Sequence, residues 1–179
     1  SSACSGVIST VIVAIVPWPP PTLPRCLAER WRKISRMPLT GEYEPSTADW
    51  VREQVETYER TGGKEANTLR DSGIPVIIVT TKGAQSGKLR KFALMRVEHD
   101  GEYALVASMG GAPQNPSWYH NLVAEPLVTI QDGPEPHDFV THIAEGDERA
   151  TRWERSVAVF SPYAEYQQKT CLLYTSPSP

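Results

Sequence analysis

The segment Lys82-Gly-Ala-Gln-Ser-Gly-Lys-Leu-Arg-Lys91 lies between two strand-like runs and is the part of this sequence best equipped for chemistry. Five Lys or Arg residues fall from Lys82 to Arg96 without one acid, on a chain whose net charge is -3. Clustered cations repel unless something neutralises them, so the segment calls for a local anionic ligand. Gly83 and Gly87 let backbone N–H groups turn toward that anion, and Ser86 adds a hydroxyl donor. The expected ligand is the phosphate or polycarboxylate part of a cofactor. Three further sets carry polar or aromatic groups: the small-residue stretch Ser108 to Ala112, the run Asn115-Pro-Ser-Trp-Tyr-His-Asn121, and the pair Tyr163 and Tyr166 after Pro162. By type and spacing alone, Trp118 and Tyr119 suit packing as well as ligand contact, and the tyrosine pair suits a helix-end anchor as well as proton transfer.

Several chemistries are excluded or weakly supported. Gly83 to Gly87 is one residue short of a nucleotide P-loop, and a strand rather than a helix follows it. No G-x-G-x-x-G run exists, which argues against a dinucleotide fold. His99, His120, His137 and His142 form no helical ligand pair, so no metal site is expected. Ser161 sits in Phe-Ser-Pro, unlike the turn that presents a nucleophilic serine. Basic charge is not spread along one face, so nucleic acid is not an expected partner. An anion loop, a small-residue loop and an aromatic cluster together suit a bound planar cofactor.

The elements that must position these groups are legible from periodicity. Ser46-Thr-Ala-Asp49 has the spacing of a capping box; Val51, Val55 and Tyr58 follow at helical spacing, and Gly62-Gly63 ends the helix. Ile74 to Thr81 reads as a buried strand. Leu89 to Glu98 alternates, with Ala93, Met95 and Val97 on one face and Arg90, Arg96 and Glu98 on the other. Asp100-Gly101 predicts a tight hairpin returning through Tyr103 to Ser108. A short helix opens at Pro116. Leu127 to Gln131 and His137 to Ile143 form a second strand pair around Asp132-Gly133. A last helix begins near Gly146 with Trp153, Val157 and Phe160 at helical spacing, and stops before Pro162. A strand meander with marginal helices predicts an α+β fold on a small antiparallel barrel.

Both ends read differently from the middle. Val7 to Val16 is apolar but too short to span a bilayer, lacks the marks of a secretory signal, and runs into Pro17-Trp-Pro-Pro-Pro21. Residues 1–36 hold five cations against one carboxylate and are read as a leader outside the domain, with the start at Met37. Residues 37–170 are read as the domain. Residues 171–179 resemble translated adapter sequence. Cys4, Cys26 and Cys171 all lie in the flanks, so the body has no disulfide, as expected of a cytoplasmic protein.

The runs Thr80 to Arg90, Val106 to Pro113, Asn115 to Leu122 and Pro162 to Gln167, in that order, resemble the deazaflavin-dependent nitroreductase family of actinobacteria, also called F420H2-dependent quinone reductases. The resemblance implies a split β-barrel, like that of FMN-binding flavin reductases, holding coenzyme F420. It implies hydride transfer to quinones or to nitro and other activated acceptors. Carried over residue by residue, Ala84, Gln85 and Ser86 face the phosphate, with Arg90 and Lys91 adding charge. Phe92, Ala93, Leu94 and Met95 lie along the cofactor. Val106, Ala107, Ser108 and Met109 run beside its ring. Ser117, Trp118, Tyr119, His120 and Asn121 close the other side. Tyr163 and Tyr166 line the acceptor pocket, and with Ser108 are the candidate catalytic residues.

Three departures accompany the resemblance. Gln85 and Met109 stand where family members carry cations, and Phe160 stands where they carry a tyrosine. The family's C-terminal strand would follow Thr170, and its absence would expose a sheet edge. Two alternatives share the motifs: an FMN-binding split-barrel oxidoreductase, and a non-catalytic deazaflavin-binding protein. The expected location is the cytoplasm, with peripheral contact at the inner membrane face as the variant a quinone acceptor suggests.

Overall fold

A computed structural model describes residues 11–17, 39–108 and 115–166 of the chain. Seven antiparallel strands form one curled, open sheet: β1 (Val11–Pro17), β2 (Val76–Lys82), β3 (Leu89–Met95), β4 (Glu98–His99), β5 (Glu102–Ala107), β6 (Leu127–Gln131) and β7 (Pro136–Ile143). Their order across the sheet is β3-β2-β6-β7-β1-β5-β4. Helices α1 (Asp49–Thr61), α2 (Ser117–Ala124) and α3 (Gly146–Val159) lie around it. The α+β class is as expected.

The curl brings one face of distant strands together. Val13 and Ile15 of β1, Ile77 and Val79 of β2, Leu105 of β5 and Val128 and Ile130 of β6 share a core with Leu122 of α2. Period-2 alternation sends neighbouring residues to the other face, where α1 and α3 cover them. Val55 and Tyr58 of α1 pack on Val76 and Ile78. Trp153 of α3 packs on Ile12, Ala14 and Ala104. The Tyr58 hydroxyl is itself pinned, accepting the Gly133 N–H at 2.9 Å, which ties α1 to the β6–β7 turn.

Strand β1 corrects the reading of the N-terminal segment. Val11–Pro17, expected in a leader outside the domain, lies between β5 and β7 and is hydrogen-bonded to both. Ile12, Val13, Ala14 and Ile15 are fully buried. Sequence reasoning missed this because a short apolar run before prolines has the same pattern as a leader.

Smaller departures have local causes. Ser46 accepts the Ala48 N–H at 3.2 Å, and α1 begins at Asp49 with no side-chain cap, so the capping box does not form. The strand expected over Leu89 to Glu98 breaks at Arg96-Val97. On β3, Phe92 and Leu94 pack on the main core while Ala93 packs beneath α1, so both faces are covered. In α3 the fully buried positions are Arg152 and Ser156, with Trp153 partly buried beside them. Arg152 is held by Glu102 at 2.6 Å, by Glu148 at 2.9 Å and by the Tyr103 carbonyl at 3.3 Å. A buried cation is tolerated only with such partners, and no hydrophobic pattern reveals it.

The Glu148 carboxyl is pushed up by burial, but hydrogen bonds from His142 and Arg152 outweigh that and hold its pKa below the usual value of 4.5. A depressed carboxyl stabilises the fold above its unfolded pKa and loses that contribution as pH falls through the folded value. Glu148→Gln is therefore expected to melt below the wild type at neutral pH, with the gap narrowing below about pH 4.5. Thermal melts across pH 3–7 measure it; a gap unchanged over that range would contradict the assignment.

Candidate functional site

A cavity of about 700 Å3 opens beside the start of β3, between the β2–β3 loop, α2 and the segment leading into α1. Gly83, Ala84, Gln85 and Ser86 form one wall; Arg90, Lys91 and Phe92 form another. Ser117, Trp118, His120 and Asn121 close it from α2, while Glu44, Ser46, Thr47 and Val51 approach from the opposite side. Ten of the residues that the resemblance assigns to the site are therefore brought to one place, together with Gly83.

The loop is tightly self-bonded. Gly83 N–H donates to the Lys88 carbonyl at 2.8 Å, and Gly87 N–H donates to the Gly83 carbonyl at 2.9 Å. Gly87 sits at φ 68°, the left-handed region that favours glycine. A Cβ on Gly83 would stand 2.9 Å from the Ser86 hydroxyl oxygen. Lys88 N–H donates to Ser86 Oγ at 3.3 Å, and Ala84 N–H donates to Asn121 Oδ1 at 3.0 Å. The N–H groups of Gln85 and Ser86 have no acceptor among the described residues at the exposed tip, so the loop offers two adjacent backbone donors. With its Oδ1 engaged, Asn121 keeps its Nδ2 amide as a donor.

The charges revise the argument for the ligand. The basic run is not left for a ligand alone to neutralise, because the chain supplies counter-ions from elsewhere. Lys88 faces Glu42 at 3.9 Å, Arg90 pairs with Glu44, and Lys91 pairs with Glu59 of α1 at 2.6 Å. Arg96 bonds Asp132 at 2.6 Å and Glu98 at 3.3 Å, away from the cavity lining. Lys82 has no carboxylate partner among the described residues. Two aromatic rings stand on the wall: Phe92 and Trp118 stack at 6.0 Å between centroids and 23° between planes. A ring-shaped ligand fits such a surface, and an anionic arm fits the loop.

The other candidates lie elsewhere. Leu94 and Tyr119 pack against the main core, and Ala93 packs beneath α1. Val106 and Ala107 are buried in β5 opposite Ile12 and Val11 of β1. Ser108 follows them, half-buried. Met109 and the glycines after it lie outside the described residues. Tyr163 is buried, its hydroxyl donating to Met95 Sδ at 3.7 Å, and it meets Phe160 and Tyr166 in a ring cluster. Burial raises the Tyr163 pKa, and the Tyr166 charge adds to the rise. Of these, none of the described residues lines the cavity. Sequence reasoning missed Glu44, Ser46, Thr47 and Val51 on its wall; an acidic segment preceding a helix carries no local signal that it folds against a strand 45 residues away. Among the described residues no group of side chains is arranged to hold a metal ion, and no helix is long and apolar enough to cross a membrane.

The F420H(2)-dependent quinone reductase Rv1261c of Mycobacterium tuberculosis is 34% identical over 91 residues, covering 45% of this chain and 60% of that protein. The match thus spans about three fifths of the relative's length. A solved structure described as an F420-H2 dependent reductase (FDR-A) is 50% identical, with a TM-score of 0.51, covering 53% of this chain and 84% of that one. A second, described as a domain-swapped dimer, is 46% identical with a TM-score of 0.53, covering 69% and 92%. The profile of the family described as F420H(2)-dependent quinone reductase matches residues 50–173, a span that includes the loop, the aromatic wall and the tyrosine pair. This chain belongs to the F420H(2)-dependent quinone reductase family.

Proposed function

We propose that this chain is an F420H2-dependent oxidoreductase that reduces quinones, with nitro and other activated electrophiles as further acceptors. The curled sheet is read as the split barrel of flavin reductases. The observation that carries the reading is the convergence, on one cavity, of the free N–H groups of Gln85 and Ser86, the cations Arg90 and Lys91, and the Phe92–Trp118 wall. When bound, reduced F420 supplies the hydride.

The protein's part is to hold, orient and exclude water. The loop donors and Arg90 take the anionic arm through charge-assisted hydrogen bonds. Trp118, wedged partly against the core, gives a fixed flat surface and sheds water from one side. Tyr163 keeps its proton at neutral pH, because burial raises its pKa. A thioether is a weak acceptor, so an oxyanion forming on a nearby substrate would draw that O–H away from Met95 Sδ. Tyr166 supports the Tyr163 ring edge-on, and Ser108 follows β5 within the stretch Val106 to Met109 that is proposed to run beside the ring. A lipid-soluble quinone would be met at the inner face of the membrane.

Tryptophan fluorescence tests the reading. Saturable quenching by F420 is expected, with most of the signal lost in Trp118→Phe, since Trp118 is the tryptophan on the cavity wall. Quenching by FMN with no response to F420 would replace this reading with the flavin one. A folded protein that responds to neither would end the cofactor assignment at this cavity.

A further inference from the structure

The segment ahead of α1 runs beside the outer edge of β3 as a short parallel strap. Tyr43 bridges Leu89; Glu44 N–H donates to the Leu89 carbonyl at 2.9 Å, and Leu89 N–H donates to the Glu42 carbonyl at 2.8 Å. The backbone of the strap is therefore held, and Glu42 and Glu44, two residues apart, share one side of it, Glu44 lying nearer the cavity. Glu44 turns into the cavity lining and pairs with Arg90; Glu42 reaches Lys88 and does not line the cavity. The Glu44–Arg90 contact is close yet poorly aligned, because Glu44 Oε2 is buried and receives no hydrogen bond of acceptable geometry. A carboxylate held by charge alone, with an oxygen shut off from water, is poorly satisfied.

We infer that Glu44 is an affinity- and specificity-setting residue of the anion site: its carboxylate occupies Arg90 when no ligand is bound and is displaced when an anion arrives. This rests on the functional reading above in taking Arg90 as a ligand contact. The consequence is a penalty that every anion meets. A ligand with one weak acceptor gains little by exchanging for Glu44, whereas one that also engages the Gln85 and Ser86 N–H groups gains net contacts. Glu44 thereby selects ligands that fill the loop and Arg90 together over simple anions that reach Arg90 alone. It also keeps Arg90 oriented toward the cavity in the absence of ligand, because the strap that carries it is fixed by backbone hydrogen bonds.

The test is F420 titration of the full chain and of Glu44→Gln, Glu42→Gln, Arg90→Ala and the double variant Glu44→Gln/Arg90→Ala, with thermal melts confirming that each is folded. Glu44→Gln is expected to bind about fivefold more tightly, the size of one exposed ion pair. Glu42→Gln should stay within about twofold. In the Arg90→Ala background the gain should vanish, since Glu44 then has nothing to vacate. Equal or weaker binding by Glu44→Gln, the same gain from Glu42→Gln, or a gain that persists without Arg90 would overturn the assignment. If no variant binds F420, the functional reading falls. Inorganic phosphate, followed by the NMR signal of the Arg90 Nε–H, then decides this inference alone. A shift at lower phosphate in Glu44→Gln than in wild type supports displacement, and identical curves refute it.

Discussion

Removal of residues 1–36 is expected to leave a chain with no cooperative unfolding transition. Strand β1 lies inside the sheet, with five residue pairs to β5 and five to β7. Its loss would strip both neighbours of their ladders at once and leave buried N–H and C=O groups without partners. The core loss is comparable in weight. Ile12, Val13 and Ile15 are 0–2% exposed, and burying three such side chains contributes about 5–8 kcal/mol. A whole domain is stable by only about 5–15 kcal/mol, so the truncated chain has little left. Circular-dichroism melts of the full and truncated chains measure this directly. A graded control separates strand loss from expression failure: Ile15→Val should cost about 1 kcal/mol and lower the melting temperature by a few degrees while remaining cooperative. A truncated chain that melts cooperatively at the full-length temperature would show that β1 does not carry the sheet.

The second large effect is expected at Arg90. Arg90→Ala should weaken F420 binding by about 10- to 100-fold, since a charge-assisted hydrogen bond to an anion contributes about 1.5–3 kcal/mol. The fold should barely respond. Both members of the Arg90–Glu44 pair are more than a third exposed, and such pairs contribute at most about 1 kcal/mol to stability. Loss of binding with an unchanged melting temperature is therefore the expected signature, read by F420 fluorescence polarisation beside a thermal melt. Arg90→Lys should recover part of the affinity, because a lysine restores the charge but not the two-pronged geometry. Wild-type affinity in Arg90→Ala would remove Arg90 from the site.

Turn and helix-stop chemistry, which depends on neighbours within a few residues, was legible in the sequence, although the capping box read at Ser46 does not form. Asp100-Gly101 makes the expected tight turn, both residues having positive φ, and Gly62 closes α1 in the left-handed region, as turn and cap chemistry require. Gly83 of the loop and Trp118 and His120 of α2 were marked by type and order, and they converge on the cavity. Tertiary structure decided the rest, since each remaining point depends on partners remote in the chain. An apolar run before prolines is equally a leader or a strand until a sheet offers it two edges, as β5 and β7 do for Val11–Pro17. A cluster of cations reads as a demand for a ligand until Glu42, Glu44 and Glu59 are seen beside it. Arg152 carries no local mark of burial, and it is Glu102, 50 residues earlier, that meets it under α3. Local sterics and turn chemistry act over three or four residues, whereas burial and charge pairing act through space, where distance along the chain does not count.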